Sequence, residues 1–384
     1  MGKKVLRDFI EKVKPYSVLF FITLFSYLLF RFAHRVQHVF HNLVNVASYL
    51  TWHNLFELSS IFVSFSIFFV VYFSFQDRRE LRLLIIGNIF LAVGIIDLFH
   101  TLSYKGMPDF FIPNNEDSRA ITFWITARLI AALGFVLMSI IPVKRNTRIN
   151  RNVMLVLAMT LSFLCFYTVT YRPEIFPVMY VEGSGLTPIK IALESVIIVM
   201  LAVSLVMFLI KYIKNKDYLF MLSAGAMILS IFSEVAFMTY FQVYDIYNYI
   251  GHVYKAIAYF LLFRIVFVRG VRQPYIELFE AQEELRLYTE NLDSIVEERT
   301  AQLSKANKML MDDIEYARDI QKAMLPSSVP ELPGLKFSAM YHPAERISGN
   351  FYDIFRLDDE HIVFYICDVA GHGVPAAMLT VFVK

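Results

Sequence analysis

The feature that most constrains this chain is a series of long apolar stretches that recur through its first 270 residues. Each has about 17 to 22 residues, enough for a helix that rises 1.5 Å per residue to cross a hydrocarbon core about 30 Å thick. About eight stretches meet this criterion. They cover approximately residues 16–32, 55–75, 83–102, 121–141, 153–170, 189–210, 219–240 and 249–268. The sequence therefore predicts an α-helical multi-pass membrane bundle.

The composition agrees with a membrane protein and excludes other classes. Hydrophobic residues make up 57% of the chain and charged residues only 18%, whereas soluble domains have about 25% charged residues. A formal net charge of +2 gives no reason to expect a nucleic-acid partner. We therefore expect membrane lipid, and no nucleic acid, around most of the chain.

Lysine and arginine residues are concentrated in alternate connections between the apolar stretches. Positive residues in short loops are retained on the cytoplasmic side of a membrane. They are Arg78, Arg79, Arg82, Lys144, Arg145, Arg148, Arg151, Lys211, Lys214 and Lys216. This asymmetry predicts an inner-membrane protein with its N- and C-termini in the cytoplasm.

In that orientation, ionisable residues from six spans fall at one depth, in the outer half of the membrane. Ionisable groups inside spans are costly and usually face one another, a bundle interior or a cavity. The members of this layer are His53, Glu57, Asp97, His100, Arg128, Lys190, Glu194, Glu234, His252 and Lys255. Lys105, which follows the third span, is assigned to the same candidate sensor pocket.

Three interpretations of this layer remain open. Buried charges need partners in any protein, so the residues can be ion pairs that fix helix packing. They can instead line a pocket for an extracellular or membrane-derived small molecule. The third interpretation is a metal site, for which the residue types are suitable, built from His53, Glu57, Asp97, His100, Glu234 and His252.

Short motifs in this region resemble the third type of bacterial membrane-associated sensor domain, over roughly residues 15 to 270. The matching strings are His53-Asn-Leu-Phe-Glu57-Leu-Ser-Ser-Ile, Asp97-Leu-Phe-His100-Thr-Leu-Ser-Tyr-Lys105-Gly-Met107, Phe123-Trp-Ile-Thr-Ala-Arg128, Gly185-Leu-Thr-Pro-Ile-Lys190, Ser233-Glu234 and Asn248-Tyr-Ile-Gly-His252. The resemblance implies an input module fused to a cytoplasmic output, and it names no ligand.

After Arg272 the sequence changes to a charged helix with an apolar seam. Spacings of three and four residues between apolar positions are typical of a two-stranded coiled coil. The seam positions are Leu278, Ala281, Leu285, Tyr288, Leu292 and Ile295, followed by a second register of Leu303, Ala306, Leu310, Ala317 and Met324. Four inserted residues separate the registers, which is a stutter. We expect a parallel homodimer through residues 278–324, acting either as a bistable signalling helix or as a plain spacer.

The last part of the chain has short β-like runs at 336–340, 350–355 and 361–368. The third run ends at Asp368, followed by Gly371, His372 and Gly373. An acidic residue at a strand end can bind a divalent cation. Taken alone, this pattern fits a simple strand-to-helix turn equally well.

Four blocks of sequence between about 314 and 384 resemble the start of the stage II sporulation protein E family of metal-dependent type 2C serine phosphatases. The blocks are Ala317-Arg-Asp-Ile-Gln-Lys-Ala-Met-Leu-Pro326, Tyr341-His-Pro-Ala344, Ser348-Gly-Asn-Phe-Tyr-Asp353 and Asp368-Val-Ala-Gly-His-Gly-Val-Pro-Ala-Ala377. The resemblance implies an α/β phosphatase domain with a β-sandwich and two Mn²⁺ or Mg²⁺ ions.

The same resemblance implies roles for particular residues. Asp368 would be the catalytic, metal-bridging carboxylate, and Val369 would offer its carbonyl oxygen. Asn350 stands where the family has aspartate, so it would contribute an amide oxygen without charge. Asp353 and the Gly371-His372-Gly373 motif would have supporting roles. The later acidic ligands of the family would lie beyond Lys384, so we expect an incomplete phosphatase domain.

These inferences predict four segments: a cytoplasmic N-terminus (1–15), a membrane sensor (16–270), a coiled-coil helix (271–325) and the start of a phosphatase (326–384). The predicted function is a sensor that controls dephosphorylation of a cytoplasmic phosphoserine protein, such as an anti-sigma-factor antagonist. Two alternatives are a non-catalytic phosphoprotein-binding receptor and a solute transporter with a regulatory tail.

Overall fold

The computed structural model describes residues 2–43, 46–142, 145–240, 245–331, 333–343 and 346–384. The side chains of residues 2–15, 38–43, 46–47 and 76–78 are outside this description. Lys144, Ala344 and the side chain of Arg78, which were used in the sequence interpretation, are therefore not described. The chain divides into two compact units, Met1–Leu278 and Phe279–Lys384.

The first unit is a helical bundle. Within the described residues, eight helices are long and apolar enough to cross a membrane, as predicted. Their bounds are α1 Gly2–Leu43, α2 Val46–Arg78, α3 Leu81–Leu102, α4 Asp117–Ile140, α5 Arg151–Tyr171, α6 Pro188–Asn215, α7 Tyr218–Thr239 and α8 Ile246–Phe267. Helices α3, α4 and α7 have the largest buried share among these spans, so they form the centre of the bundle.

The first two helices are longer than the apolar stretches that predicted them. Helix α1 continues to Leu43 and α2 begins at Val46, so most of the outer connection expected over residues 33–54 is helical. The sequence has no glycine or proline between Tyr16 and Ile86. Since these residues most often interrupt helices, the helical hydrogen bonding continues beyond the membrane-length segment.

Close helix packing depends on small residues, as is common in membrane bundles. At Gly251 in α8, an added Cβ would lie 2.5 Å from Cζ of Phe237 in α7. At Gly87 in α3, an added Cβ would lie 2.7 Å from Cγ1 of Val71 in α2. Helix α8 is thereby held against α7 one residue before His252.

Between α5 and α6 the chain forms a short connection with a small two-stranded sheet. A 3₁₀ turn at Pro173–Ile175 precedes β1 (Tyr180–Val181), which pairs antiparallel with β2 (Gly185–Leu186). The hydroxyl of Thr187 accepts a hydrogen bond from the backbone N–H of Lys190 at 3.3 Å and caps α6. Thr187 thus caps the N-terminus of α6, three residues before Lys190, the first buried charged residue of this helix.

Helix α8 passes directly into a π-helical turn, Val268–Arg272, and then into the 52-residue helix α9, Gln273–Met324. Arg269 in the π turn pairs with Asp217 in the α6–α7 connection at 3.2 Å. π-Helical turns often occur at functional positions in helices. The apolar seam of α9 is exposed within the single chain: Leu285, Leu292 and Leu303 are 67%, 60% and 70% exposed.

The second unit contains a small sheet beside the end of α9. Strand β3 (Asn350–Arg356) pairs antiparallel with β4 (Ile362–Asp368), and helix α10 (Gly373–Thr380) follows. The strands predicted at 350–355 and 361–368 are confirmed. The strand predicted at 336–340 is wrong, because among the described residues this run has no partner strand to complete a hydrogen-bonded ladder.

The predicted β-sandwich is not seen in the described residues. A sandwich needs two packed sheets, whereas the described residues of the second unit form the single strand pair β3–β4. Ile366 on β4 is 80% exposed and Phe364 is 67% exposed. One face of this hairpin is therefore apolar and accessible.

Candidate functional site

Four charged side chains from four helices form an ion-pair network in the first unit. Nζ of Lys255 in α8 lies 2.7 and 2.9 Å from the carboxylate oxygens of Glu57 in α2, and 3.0 Å from Oδ2 of Asp97 in α3. Arg128 in α4 contacts both oxygens of Asp97, at 2.7 and 2.6 Å. All four side chains are at most 5% exposed. The network therefore joins α2, α3, α4 and α8 through buried opposite charges.

Three histidines lie beside the Glu57 end of this network. The ring centroid of His53 is 5.4 Å from that of His100 and 4.7 Å from that of His252. Nδ1 of His252 lies 2.8 Å from Oε1 of Glu57, but without hydrogen-bond geometry. All three rings are buried. His53 and Glu57 are four residues apart and Asp97 and His100 are three apart, so each pair lies on one helix face. The packing of α2, α3 and α8 then brings the three histidine rings into one cluster.

A second ionic pair lies on α6. Nζ of Lys190 is 2.6 Å from Oε1 of Glu194 and donates to the carbonyl oxygen of Phe237 at 2.6 Å. Glu234 in α7 is also buried, and it interacts electrostatically with Lys190, Glu194 and Arg128. The pair on α6 and the carboxyl of Glu234 on α7 thus extend the buried ionic layer to two further helices.

The free space inside the layer is small. The cavity lined by His53, His100, Trp124, Tyr240 and His252, among others, has a volume of about 20 Å³. A water molecule needs about 10–15 Å³, and organic ligands occupy about 300–1,000 Å³. The cavity therefore has room for a water molecule or an ion, and an organic ligand would need another place.

Lys105 is outside this layer, at the edge of a much larger cavity of about 640 Å³. Its Nζ lies 3.1 Å from both carboxylate oxygens of Glu182 and 3.7 Å from Oδ2 of Asp117. Burial, together with these two carboxylates, raises the pKa of the Tyr180 phenol. The candidate sensor pocket of the sequence interpretation is thus divided into a tight ionic layer and a roomy polar cavity around Lys105.

The second unit places Asp368 and Asn350 directly opposite each other at one end of the β3–β4 pair. Side chains of directly paired residues lie on the same face with Cβ atoms about 4.5–5.5 Å apart. The N–H of Val369 donates to the carbonyl oxygen of Gly349 at 3.0 Å. A carboxylate, an amide oxygen and the Val369 carbonyl are hard oxygen donors of the kind that Mg²⁺ and Mn²⁺ prefer, so the residues present fit part of such a site.

The turn after Asp368 requires glycine at two positions. Gly371 and Gly373 have φ angles of +109° and +73°, which side chains with a Cβ rarely adopt. His372 lies between them as the residue before α10. Asp353 pairs with Tyr365 and is three residues beyond Asn350, so strand alternation puts its side chain on the opposite face from Asn350 and Asp368.

Gln321, near the end of α9, is a further residue of this unit with several polar contacts, and it is only 4% exposed. Its amide nitrogen donates to the carbonyl oxygen of Ser348 at 2.6 Å and to the hydroxyl of Thr380 at 3.0 Å. Its amide oxygen accepts from the N–H of Ser348 at 3.1 Å and from the hydroxyl of Tyr341 at 2.8 Å. Gln321 therefore fixes the segment that precedes Asn350 to the end of α9. In the sequence, Gln321 is one of many polar residues of a charged helix, so its pattern did not indicate these contacts.

Eight membrane-length helices around a buried ionic layer define a multi-pass membrane domain with a polar interior. The sequence matches MASE3, a membrane-associated sensor domain, over residues 44–274. The chain therefore belongs to the MASE3 family of membrane-associated sensor proteins.

Two curated proteins are similar to a shorter part of the chain. Protein IcfG of Synechocystis sp. (strain ATCC 27184 / PCC 6803 / Kazusa) is 42% identical over 66 residues, which is 17% of this chain and 10% of that protein. Phosphoserine phosphatase RsbU of Bacillus subtilis (strain 168) is 35% identical over 75 residues, which is 20% of this chain and 22% of that protein. The chain thus spans about a tenth and about a fifth of these relatives. No solved structure matches it.

Proposed function

We propose that this chain is a bacterial inner-membrane receptor in which the membrane sensor controls a metal-dependent phosphoserine phosphatase output. The observation that carries the proposal is the order of parts along one chain: a MASE3 domain, a 52-residue helix, and a sheet end that carries Asp368. The similarity to a protein named phosphoserine phosphatase supports the output reaction. The substrate would be a cytoplasmic phosphoserine protein, such as an anti-sigma-factor antagonist.

In the proposed output, Asp368 holds a Mn²⁺ or Mg²⁺ ion, with the Val369 carbonyl and the Asn350 amide oxygen as further ligands. When bound, such an ion acts as a Lewis acid on the phosphoester. Asp368 supplies the negative charge of this ligand set, whereas Asn350 supplies an oxygen without charge. The glycines at 371 and 373 let the chain turn sharply into α10 beside these donors.

The second candidate is a receptor that binds a phosphoprotein without hydrolysing it. The observation that favours it is the amide of Asn350 opposite Asp368, since one carboxylate holds a dication less tightly than two.

A solute transporter receives less support. Transporter sites are typically formed by interrupted helices, and α2 to α8 are unbroken α-helices between their bounds.

The proposed signal passes from α8 through the π turn into α9, which pairs with a second copy through residues 278–324. The exposed seam leucines are the surface that this homodimer would bury. The change of register near Arg299 offers two nearly equivalent packings. Gln321 then connects the end of α9 to the segment that leads to Asn350.

Disulfide crosslinking along α9 tests this arrangement. In a background without Cys165 and Cys367, we expect Leu292→Cys to give a high yield of crosslinked dimer, because it lies on the seam. The matched control is Glu290→Cys, which is on the opposite face of the helix and should remain monomeric.

Equal crosslinking at positions 290 and 292 would contradict the parallel dimer. The signalling role needs a second result: the yields at Leu285→Cys and Leu310→Cys should change between signalling states. One unchanged pattern in every state would leave α9 as a plain spacer.

A further inference from the structure

We propose that His53, Glu57 and His100 bind a first-row transition-metal dication such as Zn²⁺, with His252 beside them, and that this ion is the signal for the sensor. The metal site is inferred from the side chains themselves, and its signalling role rests on the proposed receptor function. Two imidazoles and a carboxylate suit Zn²⁺ and its neighbours in the first transition row.

The hydrogen bonding of His100 prepares one ring nitrogen for a metal. Nδ1 of His100 lies 2.7 Å from the carbonyl oxygen of Ala120. A carbonyl oxygen can only accept, so Nδ1 carries the proton and Nε2 carries a lone pair. This Nε2 is buried and has no hydrogen-bond partner among the described atoms. Metal-binding histidines commonly donate their second N–H to a backbone carbonyl in this way.

His53 provides a second ligand. Its side chain is 2% exposed, and neither ring nitrogen has a hydrogen-bond partner among the described atoms. A buried polar atom without a hydrogen-bond partner is unfavourable, and a bound ion would supply the missing partner. One ligand atom each from His53, Glu57 and His100 lies within 4.8 Å of the others. Zn–ligand distances of about 2.0–2.2 Å require these atoms to approach one another further.

The free space favours a small cation over an organic ligand. The cavity of about 20 Å³ beside His53, His100 and His252 fits an ion or a water molecule. The buried carboxylate of Glu57, whose ligand atom lies within 4.8 Å of those of His53 and His100, supplies the negative charge that a dication requires.

Binding at this site would act directly on α8. Glu57 is held by Lys255 at 2.7 Å, so a cation that binds Glu57 competes with this ammonium group. Lys255 also contacts Asp97 at 3.0 Å and would retain that partner. The shift of Lys255 from Glu57 toward Asp97 moves a side chain of α8, the helix that continues into the π turn and α9.

The test uses the whole protein in lipid nanodiscs, in an Asp368→Ala background that removes the proposed phosphatase ligand. The probe is Zn²⁺, measured by elemental analysis after dialysis, and X-ray absorption at the zinc edge reads the ligands. We expect about one Zn²⁺ per chain in a site with at least two imidazoles and one carboxylate. His53→Gln should weaken the zinc affinity at least about tenfold, a loss of roughly 1.4 kcal/mol of binding free energy.

The matched control is His34→Gln, because His34 is a helical histidine outside the cluster whose Nδ1 lies 3.0 Å from the hydroxyl of Tyr247. This variant should keep its zinc. If the Asp368→Ala protein with an intact histidine cluster bound no zinc, or if its zinc spectrum showed no imidazole ligands, the proposal would be overturned. The spectrum of this parent protein decides the question even if His53→Gln does not fold.

The signalling role is read separately, from crosslinking along α9 with and without zinc. Bound zinc with unchanged crosslinks would contradict the role of the ion as the signal while the metal site stands. Crosslinks that respond to another stimulus in a protein that binds no zinc would support the receptor function and reject the metal site. Different results would therefore contradict the zinc site and the receptor function.

Discussion

Replacing Lys255 by methionine is expected to destabilise the sensor unit by about 3–5 kcal/mol, the usual cost of breaking a buried ion pair. The change removes the cation that lies between Glu57 and Asp97. Arg128 still compensates Asp97, but Glu57 keeps only His252 within ion-pair distance among the contacts described. The measurement is the free energy of unfolding of the detergent-solubilised protein, or its midpoint of thermal unfolding.

Lys105→Met is the matched control for this prediction. Lys105 also pairs with carboxylates, at 3.1 Å from Glu182, but its side chain is 33% exposed. Exposed ion pairs contribute about 0–1 kcal/mol, so this variant should be near wild type. The double variant Glu57→Gln/Lys255→Met should recover much of the loss, because neither charge then remains unpaired. If Lys255→Met were as stable as Lys105→Met, the ion-pair network would not stabilise the bundle.

Replacing Asp368 by alanine is expected to abolish metal-dependent hydrolysis of a phosphoserine protein. Asp368 supplies the charge of the proposed ligand set, and metal activation contributes several kcal/mol to such reactions. A loss of about 4 kcal/mol corresponds to a rate about 10³-fold lower. The measurement is phosphate release by the full-length protein with Mn²⁺, with a chelator as the metal-free reference.

Asp358→Ala is the control for this variant, because Asp358 is an exposed carboxylate in the β3–β4 turn that pairs with His361 at 2.7 Å. Its activity should be unchanged.

Asn350→Asp should lower the Mn²⁺ concentration required for half-maximal activity, since it adds a second carboxylate opposite Asp368. Manganese-dependent hydrolysis that survives Asp368→Ala would reject the proposed site. No hydrolysis by the wild type would favour the non-catalytic receptor.

The helices could be predicted from the sequence because each is determined by the residues of its own segment. A run of apolar residues of membrane length must satisfy its own backbone hydrogen bonds, and a helix does this within one segment. Because His53 and Glu57 are four residues apart, their spacing alone places them on one helix face. The predicted strands at 350–355 and 361–368 were found because each has the other as its partner.

Features that depend on contacts between distant segments were not predictable. The spacing of ionisable residues did not show that Lys255 is shared by Glu57 and Asp97, since this requires the packing of three helices. The separation of Lys105 from the layer, and the small volume beside His53, are also results of packing. The run at 336–340 had a strand-like pattern, but it has no partner strand in the part of the chain that the structure describes.

The receptor account depends most directly on which side of the membrane the loop around Lys105 faces. In a background without Cys165 and Cys367, Lys105→Cys can be labelled with a membrane-impermeant maleimide in intact spheroplasts. Lys308→Cys in α9 is the comparison. The account predicts that the cysteine at 105 is labelled in intact spheroplasts and that the cysteine at 308 is labelled only after lysis. The reverse pattern would place the cavity around Lys105 in the cytoplasm and contradict the receptor function.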